Sequence, residues 1–162
     1  MVVSVDGIEA HLEILDPFDE HPLLRSYNIS TAGQGFILLF SHSETNAYDR
    51  ITSTHKLIVE SRTVSTQKYR RAPIVLVGLD GENVPERQIT FKEGAKLTEK
   101  LGLNGYFECS WRMDKNIEDP FFTLTRELRK LRGEAPQHVR SLLMVCSRGD
   151  TWVGEVVPGD SF

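Results

Sequence analysis

The side chains of this chain that could do chemistry are few and lie apart. His55 is the one titratable residue on the apolar stripe of a helical segment, and a lone histidine there reads as packed or partly exposed, not as a general base. Cys109 and Cys146 are its two thiols, and Lys68, Arg70 and Arg71 form its one basic cluster. Arg148-Gly149-Asp150 spells an adhesion tripeptide, but a three-residue match carries little weight. The carboxylates Asp16, Asp19 and Glu20 gather in Asp16-Pro17-Phe18-Asp19-Glu20, at the end of an expected hairpin, where Asp16 by itself reads as a turn residue. Nowhere does GxxxxGK[ST] occur, the loop whose backbone amides and lysine cradle phosphates.

Bulk properties narrow the classes that such residues could serve. With 162 residues, 40% hydrophobic and 26% charged, one soluble domain with one core is expected. A domain of that size buries roughly 70% of its unfolded surface, so neither disulfide nor metal is needed to fold it, and the cysteines read as intracellular thiols. No run approaches the roughly 18 apolar residues of a membrane span, and MVVSVDG lacks the charged-then-apolar pattern of a signal peptide. The cytosol is the expected compartment. A net charge of −4 and scattered basic residues argue against a nucleic-acid partner.

The elements that must position these residues follow from periodicity. Short apolar runs alternate with longer amphipathic stretches, the pattern of an α/β protein with a mostly parallel sheet covered by helices. Val3 and Val5 alternate with polar neighbours, Asp6-Gly7 makes a turn, and Ile8, Leu12 and Ile14 follow, which predicts a hairpin. GFILLFS at 35–41 and APIVLVG at 72–78 are continuous apolar runs, as strands buried on both faces require, and GYFECS at 105–110 is a shorter one. Three helices are expected. The first runs from Thr45 to about Ser61, with Tyr48, Ile51, His55, Ile58 and Val59 on one stripe; the second spans Thr90 to Leu101. In the third, Asn116 to Leu131, the stripe is Ile117, Phe121, Leu124, Leu128 and Leu131, leaving Arg126, Glu127, Arg129 and Lys130 on the wet side. If that stripe buries Phe121, truncation to alanine should cost roughly 3 to 5 kcal/mol. Beyond Gly133 the composition shifts to Gly, Pro and Asp around SLLMVC and TWVGEVV, a hairpin or a loose tail. No internal repeat or low-complexity tract is found.

Four of these segments, in order, resemble the Ras family of small GTPases. VDGIEAHLEILD resembles the hairpin that ends in the Asp of the DxxG motif. GFILLFS and the helix after it are similar to the next strand and helix there. APIVLVGLDGENVPERQIT resembles the strand leading into the guanine-reading NKxD motif, with the Glu86-Arg87 that often follows. FECSWRMDKNIEDPFFTLTRELRK is similar to the ETSAK loop and last helix. The likeness covers about Val2 to Lys130, which divides the chain into a Ras-like small GTPase domain at 1–132, incomplete at its N-terminus, and a C-terminal extension at 133–162. By this alignment Met1 falls inside the second strand, so the first strand, phosphate loop, first helix and most of switch I are expected to be lacking. The lost strand is central in that family. Either the sheet closes up or something fills the gap, for which Ser141 to Cys146 has suitable length and character.

The resemblance also assigns positions, and most have changed type. Asp16 falls on the Mg²⁺-facing carboxylate, Asp19 on a glycine whose amide meets the γ-phosphate, and Glu20 on the catalytic, water-orienting glutamine; an ionised Glu only accepts hydrogen bonds. Leu79, Asp80, Gly81 and Glu82 fall on NKxD: Leu79 cannot hydrogen-bond, Asp80 reverses a lysine's charge, and Glu82 keeps a carboxylate one methylene too long. Ser110, Trp111 and Arg112 fall on Ser-Ala-Lys, with an indole where a small residue meets the guanine oxygen; a ring packed over an unfilled pocket and a stacking surface are the two readings of Trp111. Charge-assisted hydrogen bonds contribute about 1.5 to 3 kcal/mol each, so losing four costs at least ~6 kcal/mol, more than ~10⁴ in affinity.

What the resemblance implies is therefore a signalling protein of the small GTPase type whose GTPase activity is in question. The expectation is a pseudo-GTPase that binds protein partners through a Ras-like surface, with weak or no GTP binding and no cofactor. The alternative is a GTP-hydrolysing switch, with GTP or GDP and Mg²⁺, whose phosphate loop is missing because the sequence is truncated. No membrane insertion is expected, and Pro158-Gly159-Asp160-Ser161-Phe162 is not a CaaX prenylation box.

Overall fold

The computed structural model describes residues 1–15, 33–64, 72–79, 87–110, 112–133 and 139–146. It is the expected α/β architecture. The strands are β1 (Val2–Val5), β2 (Ile8–Leu15), β3 (Gly35–Ser41), β4 (Ile74–Leu79), β5 (Tyr106–Cys109) and β6 (Val139–Cys146); the helices are α1 (Ala47–Val64), α2 (Phe91–Leu101) and α3 (Asp119–Arg132). One six-stranded sheet has the order β1-β2-β6-β3-β4-β5. Among the described strands only the β1–β2 pair is antiparallel, while β2–β6, β6–β3, β3–β4 and β4–β5 are parallel. Of the two outcomes weighed for the sheet, the gap is filled: the SLLMVC run lies in β6, with Ile14 opposite Leu143 on one side and Gly35 opposite Leu143 on the other.

The hairpin forms where Asp-Gly was expected to turn. Asp6 and Gly7 have φ of 56° and 76°, the paired left-handed conformation whose twist suits two antiparallel strands. Nothing lies within 4 Å of where a Cβ on Gly7 would stand, so the glycine is there for its backbone freedom and not for space. Helix α3 then clasps the turn. Arg126 Nε and Nη2 donate to the two Asp6 carboxylate oxygens at 2.8 and 2.6 Å, and Arg129 donates to the carbonyls of Val5 and Ile8 at 2.9 and 3.2 Å. Arg126 and Lys130 are exposed as the helical pattern implies, whereas Glu127 and Arg129 are half-buried.

That clasp gives acid sensitivity a defined source. The hydrogen bonds and charge of Arg126 hold the Asp6 carboxyl below its usual range. A folded-state value below the unfolded one contributes stability that is full above about pH 4, the unfolded range, and is lost as pH falls through the folded value. Asp6→Asn keeps a residue suited to the turn and removes the titration. The urea midpoint of the wild type should fall more steeply than that of the variant below pH 4, and the gap should shrink in high salt because the pair is exposed. Parallel curves for the two proteins would refute the assignment.

The core lies in two layers, one on each face of the sheet. Phe36, Leu38 and Phe40 of β3 meet Ile51 and Ile58 of α1 and Leu97 of α2, while Ile37 of β3 joins Val75 and Val77 of β4 and Leu124 and Leu128 of α3. Successive side chains of one strand thus enter opposite layers, which is why these strands read as unbroken apolar runs. Helix α2 starts on a capping box, Thr90 with Glu93, and stops at Gly102 with φ 65°. Gly94 faces Tyr106, whose ring a Cβ there would overlap.

Two helical stripes sit differently from the sequence pattern. In α3 the buried residues are Pro120, Leu124, Thr125 and Leu128; Phe121 is half-buried, and Ile117 and Leu131 are exposed. The helix begins at Asp119, with Pro120 in its first turn, so Ile117 precedes it. Phe121→Ala should accordingly cost less than a fully buried ring would. In α1, Ile51 and Ile58 are buried, but Tyr48 and Val59 are exposed, and the stripe continues instead to a buried Arg62. His55 is partly buried, which lowers its pKa through desolvation.

Candidate functional site

The carboxyl ends of parallel strands in an open sheet form one edge, and ligands of such sheets bind there. The chain leaves the described sheet at this edge after β2, β3, β4, β5 and β6. Three of the sequence-derived positions are described. Leu79 ends β4, half-buried, with its side chain packed against the apolar layer that contains Val77 and Cys109. Ser110 follows β5 and is buried. Arg112 is exposed on the turn beyond. Leu79 pairs with Cys109 across β4 and β5, so the structure brings the start of the NKxD-like stretch and the Ser110 stretch side by side. Asp16, Asp19, Glu20, Asp80, Gly81, Glu82 and Trp111 lie outside the described residues.

The loop that carries Ser110 is held by its own backbone. Ser110 and Lys115 exchange N–H···O bonds at 3.1 and 3.0 Å, forming an isolated antiparallel bridge. Asp114 and Asn116 take φ of 50° and 58°, a left-handed conformation that these two residue types tolerate best among non-glycines. Asn116 Nδ2 then donates to the Glu108 carbonyl at 3.0 Å, and the Cys109 thiol donates to the Asn116 carbonyl at 3.0 Å. A short strand end is thereby fixed on both sides.

Behind Leu79 stands a polar cluster that sequence reasoning missed. His42, one residue past β3, is buried; its N–H donates to the Leu79 carbonyl at 3.2 Å, and its ring meets Phe40 edge-on at 5.2 Å. Arg87 pairs with the Glu108 carboxylate, lies 3.3 Å from His42 Nε2, and donates through Nε to the Ile89 carbonyl at 2.7 Å. Tyr106 donates its hydroxyl to the same Glu108 oxygen at 3.1 Å. Space is tight, since a Cβ on Gly78 would fall 2.8 Å from His42 Nε2 and 2.9 Å from the Tyr106 hydroxyl. The Arg87 charge is thus matched by Glu108, and the cluster fixes the turn entering α2 against β5. The sole signal in the sequence was Glu86-Arg87; His42, Tyr106 and Glu108 come from separate segments.

Among the described residues no three His, Cys, Asp or Glu side chains cluster as metal ligands, and no helix is long and apolar enough to cross a membrane. A cleft lined by Thr45, Tyr48, Gln88, Glu93, Lys96 and Lys100 opens between α1 and α2, where Lys100 sits over the Tyr48 ring at 5.2 Å. It includes none of the candidate positions.

Comparison with known proteins adds the relationship. The family model of the Ras family matches residues 1–130. Protein ras-2 of Neurospora crassa is 31% identical over 156 residues, covering 86% of this chain and 67% of that protein. Ras-like protein 1 of Pyricularia oryzae is 31% identical over 148 residues, covering 82% of this chain and 61% of that protein. GTP-binding protein ypt2 of Schizosaccharomyces pombe is 25% identical over 137 residues, covering 82% and 64%. The chain thus spans about two thirds of the length of these relatives.

Proposed function

Because this chain belongs to the Ras family, we propose that it is a degenerate member, a pseudo-GTPase that engages protein partners in cytoplasmic signalling and binds GTP weakly or not at all. The observation that carries this is the pair Leu79-Asp80 where the family's NKxD has Asn-Lys. Leu79 has no polar side-chain atom and is committed to the apolar layer. Asp80 puts a carboxylate where a lysine would lie along the base.

The rest of the described edge does not fit a guanine nucleotide with Mg²⁺ any better. Arg87 is engaged by Glu108, and the Ser110 amide is engaged by Lys115, so neither is poised to meet an anion. At the remaining positions Asp19, Glu20 and Trp111 differ in type from the glycine, glutamine and alanine of the family, while Asp16, Glu82 and Ser110 keep a carboxylate or hydroxyl that could still serve. Partner binding needs none of this chemistry, only a folded surface.

A second reading rests on length. Relatives extend well beyond the matched portion, and a GTP-hydrolysing switch would follow if further sequence supplied a phosphate loop. The test is the nucleotide content of the purified 162-residue protein, measured by ion-exchange chromatography after acid precipitation. No GDP or GTP is expected; a near-stoichiometric nucleotide would overturn the proposal.

A further inference from the structure

The cleft between α1 and α2 has a volume of about 470 Å³, within the range of sites that hold a ligand. Buried Ile89 and Leu97 form an apolar floor. On the α1 side stands the Tyr48 ring, 40% exposed; on the α2 side stand Lys96 and Lys100, both exposed. The two lysines are four residues apart on one helix, so they share a face and sit about 6 Å from each other along the axis. From Glu93 to Lys100 the α2 side of the cleft runs about 10 Å, the reach of three residues of extended chain.

The charge of this cleft is opposite in sign to that of the chain. The whole sequence carries −4, whereas the cleft is lined by two lysines and a single carboxylate, Glu93. That carboxylate is already engaged in the capping box of α2, where it accepts from the Thr90 amide and hydroxyl at 2.8 and 2.7 Å. Lys100 is held by a neutral acceptor: it donates to the Tyr48 hydroxyl at 2.9 Å and lies over the ring at 5.2 Å. Among the described residues no ion pair includes Lys96 or Lys100. Positive charge beside an aromatic wall and an apolar floor is complementary to an anion with an apolar body.

We infer that this cleft docks an extended acidic segment of a protein partner, with a carboxylate, an apolar residue and a carboxylate in succession. Side chains at i and i+2 of an extended chain lie on one face about 6.6 Å apart, close to the spacing of the two lysines. The side chain between them turns the other way, toward the Tyr48 ring on the opposite wall. An anionic membrane is a poorer match: it would meet Glu93 as well as the lysines, and a chain of charge −4 is repelled from it. The inference rests on the partner-binding part of the function proposed above and names where the partner binds.

The probe is the peptide Ser-Glu-Phe-Glu-Ser, acetylated and amidated, titrated into the nitrogen-15-labelled protein and followed by amide chemical shifts. Shifts should concentrate at Tyr48, Gln88 and Lys96 to Lys100, and affinity should fall as salt rises. The double variant Lys96→Glu with Lys100→Glu should bind at least ~10-fold more weakly than wild type, and so should wild type with the peptide Ser-Gln-Phe-Gln-Ser. Lys56→Glu with Lys130→Glu makes the same charge change at exposed positions outside the cleft and should bind like wild type. No saturable binding by about 1 mM peptide, shifts centred elsewhere, or an equal loss in both double variants would overturn the assignment. So would binding to phosphatidylserine vesicles that depends on Lys96 and Lys100 in a protein that ignores the peptide. Nucleotide retained by a wild type that still binds the peptide would sink the pseudo-GTPase reading and leave the docking site; a nucleotide-free protein that ignores the peptide would do the reverse.

Discussion

Leu143→Pro is expected to lower the stability of this chain by at least ~3 kcal/mol, or to abolish its cooperative unfolding transition altogether. Proline lacks the N–H that a ladder needs and is found in sheets almost only at edges. Position 143 has no edge to offer, since it is opposite Ile14 of β2 and Gly35 of β3. Without a continuous β6, two half-sheets would face each other with unpaired backbone groups, and each buried orphan costs about 1 to 3 kcal/mol. Val2→Pro is the control, because β1 has one neighbour in place of two. Urea melts followed by far-ultraviolet circular dichroism separate the outcomes. If Leu143→Pro melts like the wild type while Val2→Pro does not, β6 does not hold the central slot in solution.

The elements legible in the sequence were those set by local chemistry. GFILLFS became β3 with the expected bounds because both of its faces are buried, and the Asp6-Gly7 turn followed from what two left-handed residues allow. Helix α2, expected over Thr90 to Leu101 from its amphipathic pattern, runs from Phe91 to Leu101 with Thr90 as its N-cap and Gly102 as its C-cap. Where packing decides, periodicity misled. The stripe from Ile117 to Leu131 ignored Pro120, which marks the first turn of α3, and so Phe121 sits at the margin of the buried face instead of its centre. Nor does any local pattern announce that a buried arginine completes the apolar face of α1, because the groups it meets, the Phe36 ring of β3 and the Gly33 carbonyl among them, lie elsewhere along the chain.

The site divides along the same line. Leu79 and Ser110 were assigned by the resemblance of their segments to NKxD and the ETSAK loop, and they stand at the ends of β4 and β5. The pairing of Arg87 with Glu108, and the burial of His42 beside them, depends on three strands lying in the order β3-β4-β5, which spacing along one chain does not reveal. The central place of β6 was legible as a vacancy for which Ser141 to Cys146 had suitable length and character, and the pairing with β2 and β3 shows it filled. Topology had to supply the rest.

Phe36→Ala should destabilise by about 3 to 5 kcal/mol, and its interest lies in what stands over the ring. Phe36 is fully buried at the start of β3, and the Arg62 guanidinium of α1 lies over its face at 5.5 Å while donating to the Gly33 carbonyl at 2.7 Å. Burial lowers the Arg62 pKa, yet an arginine stays charged at neutral pH, so this cation is held in a setting that disfavours its charge. The aromatic face and the carbonyl help to offset that cost. Removing the ring leaves a cavity and strips the cation of one of these supports, which places the loss toward the upper end of the range. Phe36→Leu fills most of the volume without the ring's negative face; it should cost about 1 to 3 kcal/mol, combining imperfect packing with a lost cation–π contact. A double-mutant cycle with Arg62→Met isolates the second part. A coupling of about 0.5 to 2 kcal/mol between positions 36 and 62 is expected, and a coupling near zero would mean that the Phe36 ring takes no part in holding the Arg62 cation.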